Sequence, residues 1–174
     1  MSVEIIVLSV LRAGPVHGYE LKRRVARPSL TPLSNNSLYP MLRRFEQQGL
    51  VTKSVEEHES VPPRNVYAIT DAGRERLTAL LSALPPELAT DDEEFLMRLG
   101  FFEELPIANR RAIVAARLAA LDASAATVST LLDENSGKGT SPKHEWRAEV
   151  MSHVLQTLAS ERAWTLTIGK KAGV

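Results

Sequence analysis

The chain contains no cysteine. That absence excludes disulfides, thiolate zinc sites and cysteine nucleophiles, and it suits a reducing cytosol. No G-x-S-x-G, Walker or dinucleotide glycine pattern occurs, and no serine, histidine and acid are placed as a relay, so an enzyme is not expected. The histidines, His17, His58, His144 and His153, lack the i, i+4 pairing and nearby carboxylates of a helical zinc site. Neither metal nor cofactor is expected. The opening M-S-V-E-I-I-V-L-S-V-L carries Glu4, lacks a basic flank and is too short to span a bilayer, so it reads as neither signal peptide nor anchor. A cytoplasmic protein with no membrane partner is the expectation.

There is also no net charge, with 21 Lys and Arg against 21 Asp and Glu in 174 residues. The balance hides an asymmetry: residues 1–84 hold 11 basic against 8 acidic side chains, and residues 85–174 hold 10 against 13. Within residues 12–53 there are 8 basic side chains (Arg12, Lys22, Arg23, Arg24, Arg27, Arg43, Arg44, Lys53) against only Glu20 and Glu46. That is the electrostatic footprint of a polyanion-binding face. With 44% apolar and 24% charged residues the composition is that of a globular protein, enough for one domain or two small modules.

Apolar spacing sets the organisation. Val3, Ile6, Val7, Val10 and Leu11 form the stripe of a core-facing helix that Ala13-Gly14-Pro15 ends. A second helix runs from Gly18 to about Arg27, with Lys22 on its basic flank, and S34-N-N-S-L-Y-P-M-L-R-R-F-E-Q-Q-G-L50 supplies a third, stopped by Gly49. The period then changes: V-T-K-S-V-E-E and N65-V-Y-A-I-T are β-branched runs around a turn-rich H58-E-S-V-P-P-R, and make a hairpin. Tyr67 and Ile69 are expected to face the core from one side of a strand, and Tyr19 is also expected in the core. Thr70 or Asp71 caps a fourth helix ending before Pro85-Pro86. Three helices, a hairpin and a helix give a winged helix-turn-helix order for residues 1–84.

Residues 85–174 read as helical, with starts marked by Thr90 and Glu93, by Pro106, and by Ser141-Pro142. The expected helices are 91–104, 107–133 and 142–168. The acidic run Asp91-Asp92-Glu93-Glu94 reads as a first helical turn complementing the dipole rather than as a metal site. Positions 107, 111, 114, 118, 121, 125, 128 and 132 carry an alternating four and three apolar seam that only Arg111 breaks, as in coiled-coil packing. Val150, Met151, Val154, Leu155 and Leu158 offer a matching stripe. The two helices can pair within the chain or with copies in a second subunit, which makes Val114, Leu118, Leu121, Val128, Leu132, Val154 and Leu158 the candidate dimer contacts. Trp146 and Trp164, with Phe95, Phe101 and Phe102 in the same half, are candidates for a cavity taking a planar effector, against simple helix packing.

The third helix carries the functional expectation. A start at Asn36 or Ser37 puts Pro40 in the first turn, where its missing N–H costs little. Leu38, Met41, Leu42 and Phe45 then turn inward, leaving Asn36, Ser37, Tyr39, Pro40, Arg43, Arg44 and Gln47 outside with no acid before Glu46. Such a helix start suits the major groove of double-stranded DNA: Arg43 or Arg44 for guanine or phosphate, Asn36 for adenine, Ser37 and Tyr39 for the backbone.

G14-P-V-H-G-Y-E-L-K22, S37-L-Y-P-M-L-R-R-F-E-Q-Q-G-L-V51 and V66-Y-A-I-T-D-A-G73 together resemble the PadR family of bacterial transcriptional regulators. The resemblance implies a mainly α protein: a winged helix-turn-helix with a β-hairpin wing over residues 1–84, then a helical dimerisation part over residues 85–174. It further implies a homodimer on a palindromic operator, usually a repressor, with Arg64 of the wing on DNA and Asn65 where relatives often have a second basic residue. Some relatives respond to aromatic acids or drugs, so a small aromatic effector is among the implied partners. The alternatives are a MarR-like regulator and a winged-helix protein-interaction module that binds no DNA.

Overall fold

A computed structural model of the chain describes residues 2–25, 35–58, 61–136 and 142–174. It divides into two compact units, Met1–Leu81 and Ser82–Val174, three residues short of the expected boundary at 84.

The first unit contains α1 (Ser2–Arg12), β1 (Val16–His17), α2 (Gly18–Val25), α3 (Asn35–Gln47), β2 (Val51–His58), β3 (Val61–Ile69) and α4 (Asp71–Ser82). The strands make one antiparallel sheet in the order β1-β3-β2, with Val16 opposite Tyr67 and Val51 opposite Ile69. Ile5, Leu8 and Leu11 of α1, Leu21 and Val25 of α2, and Leu38, Leu42 and Phe45 of α3 are buried at helical spacing and form the core. β1 is absent from the sequence expectation, since two residues carry no periodicity. Gly14, at φ +144, turns the chain so that Val16 reaches the sheet. The wing strands run through Pro62 and Pro63, which a central strand would not tolerate. β1 covers β3 only at Val66 and Tyr67, so these prolines sit on a stretch with one free edge.

A tight junction joins α3, the wing and α4. Gly49, at φ +70, ends α3, and the Leu50 amide donates back to the Phe45 carbonyl at 2.8 Å, a helix-ending bond six residues round. Thr70 caps α4 by accepting the Gly73 amide at 3.1 Å, while its own hydroxyl donates to the Gly49 carbonyl at 2.7 Å. The Leu50 carbonyl in turn accepts the Thr70 amide at 3.1 Å. A Cβ on Gly73 would lie 2.1 Å from that carbonyl oxygen and 2.7 Å from Ile69 Cγ1, so only glycine fits.

The second unit contains a 3-10 turn at Pro86–Leu88, α5 (Asp92–Leu99), a second 3-10 turn at Phe102–Glu104, α6 (Ile107–Ser136) and α7 (Pro142–Lys171). The expected 91–104 helix therefore stops at Leu99, where Gly100 caps it, and α6 and α7 each extend three residues further than expected. The cap of α5 is Asp91, which accepts the Glu94 amide at 3.2 Å, and not Thr90. α6 and α7 pack antiparallel within the chain. A Cβ on Gly169 would come 3.3 Å from Val114, and Arg162 Nε donates to Asp122 at 2.6 Å, which holds the guanidinium more firmly protonated than usual. By length and hydropathy Ile107–Glu134 is apolar enough to cross a membrane, yet its Ile113, Val114, Arg117 and Leu121 are buried inside this unit.

This packing corrects the reading of the α6 seam. Val114 and Leu121 are closed into the core of their own chain and are not free for a partner subunit. Leu118, Val128, Leu132 and Leu158 are half-buried, and Val154 is exposed. The core also takes in a charge next to the seam: fully buried Arg117 lies beside Ile113, Val114 and Leu121, with Nη1 donating to the Ala89 carbonyl at 3.0 Å and Nη2 paired with Asp92. Arg98 is also fully buried, its Nη1 donating to Glu94 Oε2 at 2.8 Å and its Nε to the Ala83 carbonyl at 2.6 Å. Two of the acids read as helix-dipole partners, Asp92 and Glu94, thus pair with buried guanidiniums.

Gly73→Ala is expected to destabilise the first unit by about 3 kcal/mol, because a methyl group would overlap a backbone carbonyl that cannot move without breaking the junction. A urea titration followed by circular dichroism measures it.

Candidate nucleic-acid interface

α3 presents one clean outward face. Ser37, Tyr39, Pro40, Arg43, Arg44 and Gln47 are all exposed, while Leu38, Leu42 and Phe45 beneath them are fully buried. The first turn carries no acid. Asn36 belongs to that turn, and its side chain lies outside the described residues. Because α3 starts at Asn35, Pro40 is its sixth residue and lies in the second turn, not the first. The ring removes the N–H that would otherwise bond the Asn36 carbonyl, at the very end of the helix that faces outward.

At about 100° per residue, positions 36, 40, 43 and 47 share one narrow strip, with Tyr39 and Arg44 on its two flanks. On one flank Arg44 stands 5.6 Å over the Phe45 ring and shares a shallow recess with Glu4, Gln48 and Arg76. On the other, Tyr39 leans toward Gly18 and Tyr67: a Cβ on Gly18 would meet the Tyr67 ring at 3.3 Å and the Tyr39 ring at 3.6 Å. Burial pushes the Tyr67 phenol above its ordinary value, and Tyr39 and Glu46 push the same way, so it stays neutral and able to donate.

The structure brings Tyr39 together with Arg64 across a recess of about 500 Å³, which His17, Tyr19 and Asn65 also line. Tyr19 is 76% exposed, which overturns its expected place in the core; Gly18 and Leu21 occupy the buried side of α2 instead. Tyr67 and Ile69, by contrast, do turn inward, Tyr67 fully and Ile69 in part. Lys22 is half-buried on α2, outside that recess. Neither Lys22 nor Arg43 is held by a carboxylate among the described residues. The neighbouring Arg23 and Arg24 are tied to Glu20 at 2.9 and 2.8 Å, and the Arg24 hydrogen bond leads in holding that carboxyl below its ordinary value.

Residues 7–79 match the Transcriptional regulator PadR-like family. Over that stretch the chain is similar to PadR-like regulators. The matched residues run through α1, the helix-turn-helix and the wing into α4. PadR-like proteins are transcriptional regulators built on a DNA-binding winged helix, and the described fold is a winged helix followed by helices. Over 144 residues the chain is 31% identical to an uncharacterised 37.1 kDa protein in a transposon of Streptomyces fradiae, covering 79% of this chain and 39% of that one. It therefore spans about two fifths of the curated relative it matches. Among solved structures, Bacillus subtilis PadR in complex with operator DNA is 18% identical over 97% of this chain and 96% of its own, at a TM-score of 0.45. A PadR-like regulator of Bacillus cereus is 32% identical over 44% of this chain and 74% of its own, at 0.39.

In the second unit the two tryptophans are separated. Trp146 and Trp164 lie 18 residues apart on α7, about 27 Å along the axis, so they do not share a cavity. Trp164 meets Phe95 edge to face with centroids 6.1 Å apart and lines a cavity of about 250 Å³ with Asp92, Arg117 and Glu161. Trp146 is 73% exposed. Among the described residues no group of three metal-ligating side chains forms.

Acrylamide quenching is expected to resolve two tryptophan classes, and Trp146→Phe is expected to remove the strongly quenched one. A single class in the wild type would contradict the placement of Trp164 against Phe95.

Proposed function

We propose that this PadR-like chain is a cytoplasmic, homodimeric repressor that reads a palindromic operator through α3. The single observation that supports the reading most strongly is the outward face of α3. It has an acid-free first turn, Arg43 and Gln47 in its central strip, and Tyr39 leading to Arg64 on the wing. An α-helix fits the major groove, guanidiniums and amides read base edges there, and hydroxyls and wing cations hold phosphate. Asn36, Ser37, Pro40, Arg44 and Lys22 complete the assigned interface.

Dimerisation is supported by apolar surface that one chain does not cover. Trp146, Val150, Val154 and Leu158 recur every four residues along α7, and the first three are exposed. Leu131 is exposed on α6, with Val128 and Leu132 half-buried beside it. A second copy would bury this stripe and set two α3 helices about one duplex turn apart. The cavity beside Trp164 is the place where an aromatic effector would act on that spacing. The same stripe also supports the rival reading, a protein-interaction module without DNA.

Salt separates the two. Anisotropy with the DNA upstream of the chain's own gene is expected to give affinity falling with salt at a log–log slope of about −0.9 per neutralised phosphate, whereas an apolar partner would show little dependence. Replacing Arg43 and Arg44 together by Ala is expected to abolish binding with the thermal transition intact; unchanged affinity would sink the assignment. For assembly, Val154→Glu is expected to sediment as a folded monomer. Leu121→Glu is expected to lose folded structure instead, because its charge would be buried inside one chain.

A further inference from the structure

We propose that the recess between α2, the start of α3 and the base of the wing is the seat of one DNA backbone phosphodiester, with Tyr19 as a donor beside Tyr39 and Arg64. The proposal rests on the DNA-binding reading above and adds to it a residue and a chemical role. At about 500 Å³ the recess accepts a phosphate with part of its sugar. Its lining includes Tyr19, Tyr39, Arg64 and Asn65, whose side chains carry hydroxyl, guanidinium and amide groups that donate to anionic oxygen.

Charge favours the same occupant. Glu20 also lines the recess, but Arg23 and Arg24 both bind and neutralise it, which leaves Arg64 as the cation that the recess itself presents. The other acid nearby, Glu56, lies 3.6 Å from His17 Nε2. The position of Tyr19 is otherwise unaccounted for: a large ring 76% exposed gains little from burial and stands where α2 meets the recess. Gly18 permits the arrangement, since the Tyr39 and Tyr67 rings lie against the space a side chain would fill.

The seat is for phosphate and not for a base edge. Tyr39 is about 100° round α3 from Pro40 and so lies on the flank of the strip that would enter the groove. The other lining groups come from β1, α2 and the wing, not from α3. Contacts of this kind fix position on the duplex and carry no sequence information. Tyr19 should therefore set affinity without setting specificity.

The test uses the full chain and a duplex selected from a random pool by the wild type, resynthesised with single neutral methylphosphonates along each strand. One position per half-site is expected to cost the wild type about tenfold, the loss of a hydrogen bond to a charged group. That position is expected to cost Tyr19→Phe and Arg64→Gln less than about threefold, because the contact is already gone. Tyr19→Phe should also weaken the selected duplex and an unrelated one by equal factors, with the melting transition unchanged. The seat is overturned if Tyr19→Phe binds like the wild type, if its loss adds fully to that of every methylphosphonate, or if it alters base preference. A wild type that selects no duplex would instead remove the DNA-binding reading itself.

Discussion

The Leu50 carbonyl is the point on which the winged unit turns. It accepts the Thr70 amide and lies against Gly73, whose missing side chain is what lets α4 start there. With the Thr70 hydroxyl on the Gly49 carbonyl, this junction fastens the end of α3 to the end of β3. The pairing of Val51 with Ile69 follows from it, and in a two-residue strand period that register decides the side chains as far as Glu56 opposite Arg64, where it shifts. Arg64 reaches the same recess as Tyr39 only because α3 and the wing leave one fixed corner. A looser corner would preserve each element and scatter the surface they share.

The second unit meets a different constraint. Arg98 and Arg117 are wholly buried, and a guanidinium out of water is tolerable only when its charge is paired and most of its donors find acceptors; Arg98 Nη2 and Arg117 Nε find none among the described residues. Arg98 takes Glu94 and the carbonyls of Glu94 and Ala83; Arg117 takes Asp92, Glu161 and the Ala89 carbonyl while lying 5.4 Å from the Phe95 ring centre. Glu94 moves with Arg98 on α5, but Arg117 of α6 takes its carboxylates from α5 and α7, so α6 displaced by one turn would strand that charge. Apolar residues alone, in helices as long as α6 and α7, would permit several such displacements. The buried arginines favour one.

What the sequence makes legible is whatever has a period or a cap. The stripes of α1 and α3, the β-branched wing strands and the Thr70 cap are local signals that tertiary packing leaves in force. β1 has two residues and no period, and it exists because β3 offers an edge. The α5 end is hidden because Gly100 interrupts an otherwise helical composition. The α6 seam misleads for a physical reason: a heptad reading assigns the core to apolar residues, whereas this core includes Arg117 and so lies partly beside the seam. Tyr19 is misplaced likewise, since ring size suggests burial while the narrow α2 buries only Gly18, Leu21 and Val25. Tyr39 and Arg64, 25 positions apart, could be joined at the sequence level only through family likeness.

These placements also show how a chain of zero net charge leaves cations on the outward face of α3 and on the wing. Its cations are partitioned by burial and by partner. Arg98 and Arg117 are spent in the second core, Arg162 on Asp122, Arg76 on Glu4, and Arg23 and Arg24 on Glu20. Counting basic residues along α2 therefore overstates what that helix offers to a polyanion, and the pairing shifts the weight to α3 and the wing. Arg43 stands beside polar and aromatic neighbours with Glu46 the nearest acid on its own helix, and Arg64 closes the recess from the other side. Arg43 and Arg64, with no carboxylate partner among the described residues, leave more uncompensated charge for a polyanion than cations already neutralised, because such charge needs no rearrangement to meet a ligand.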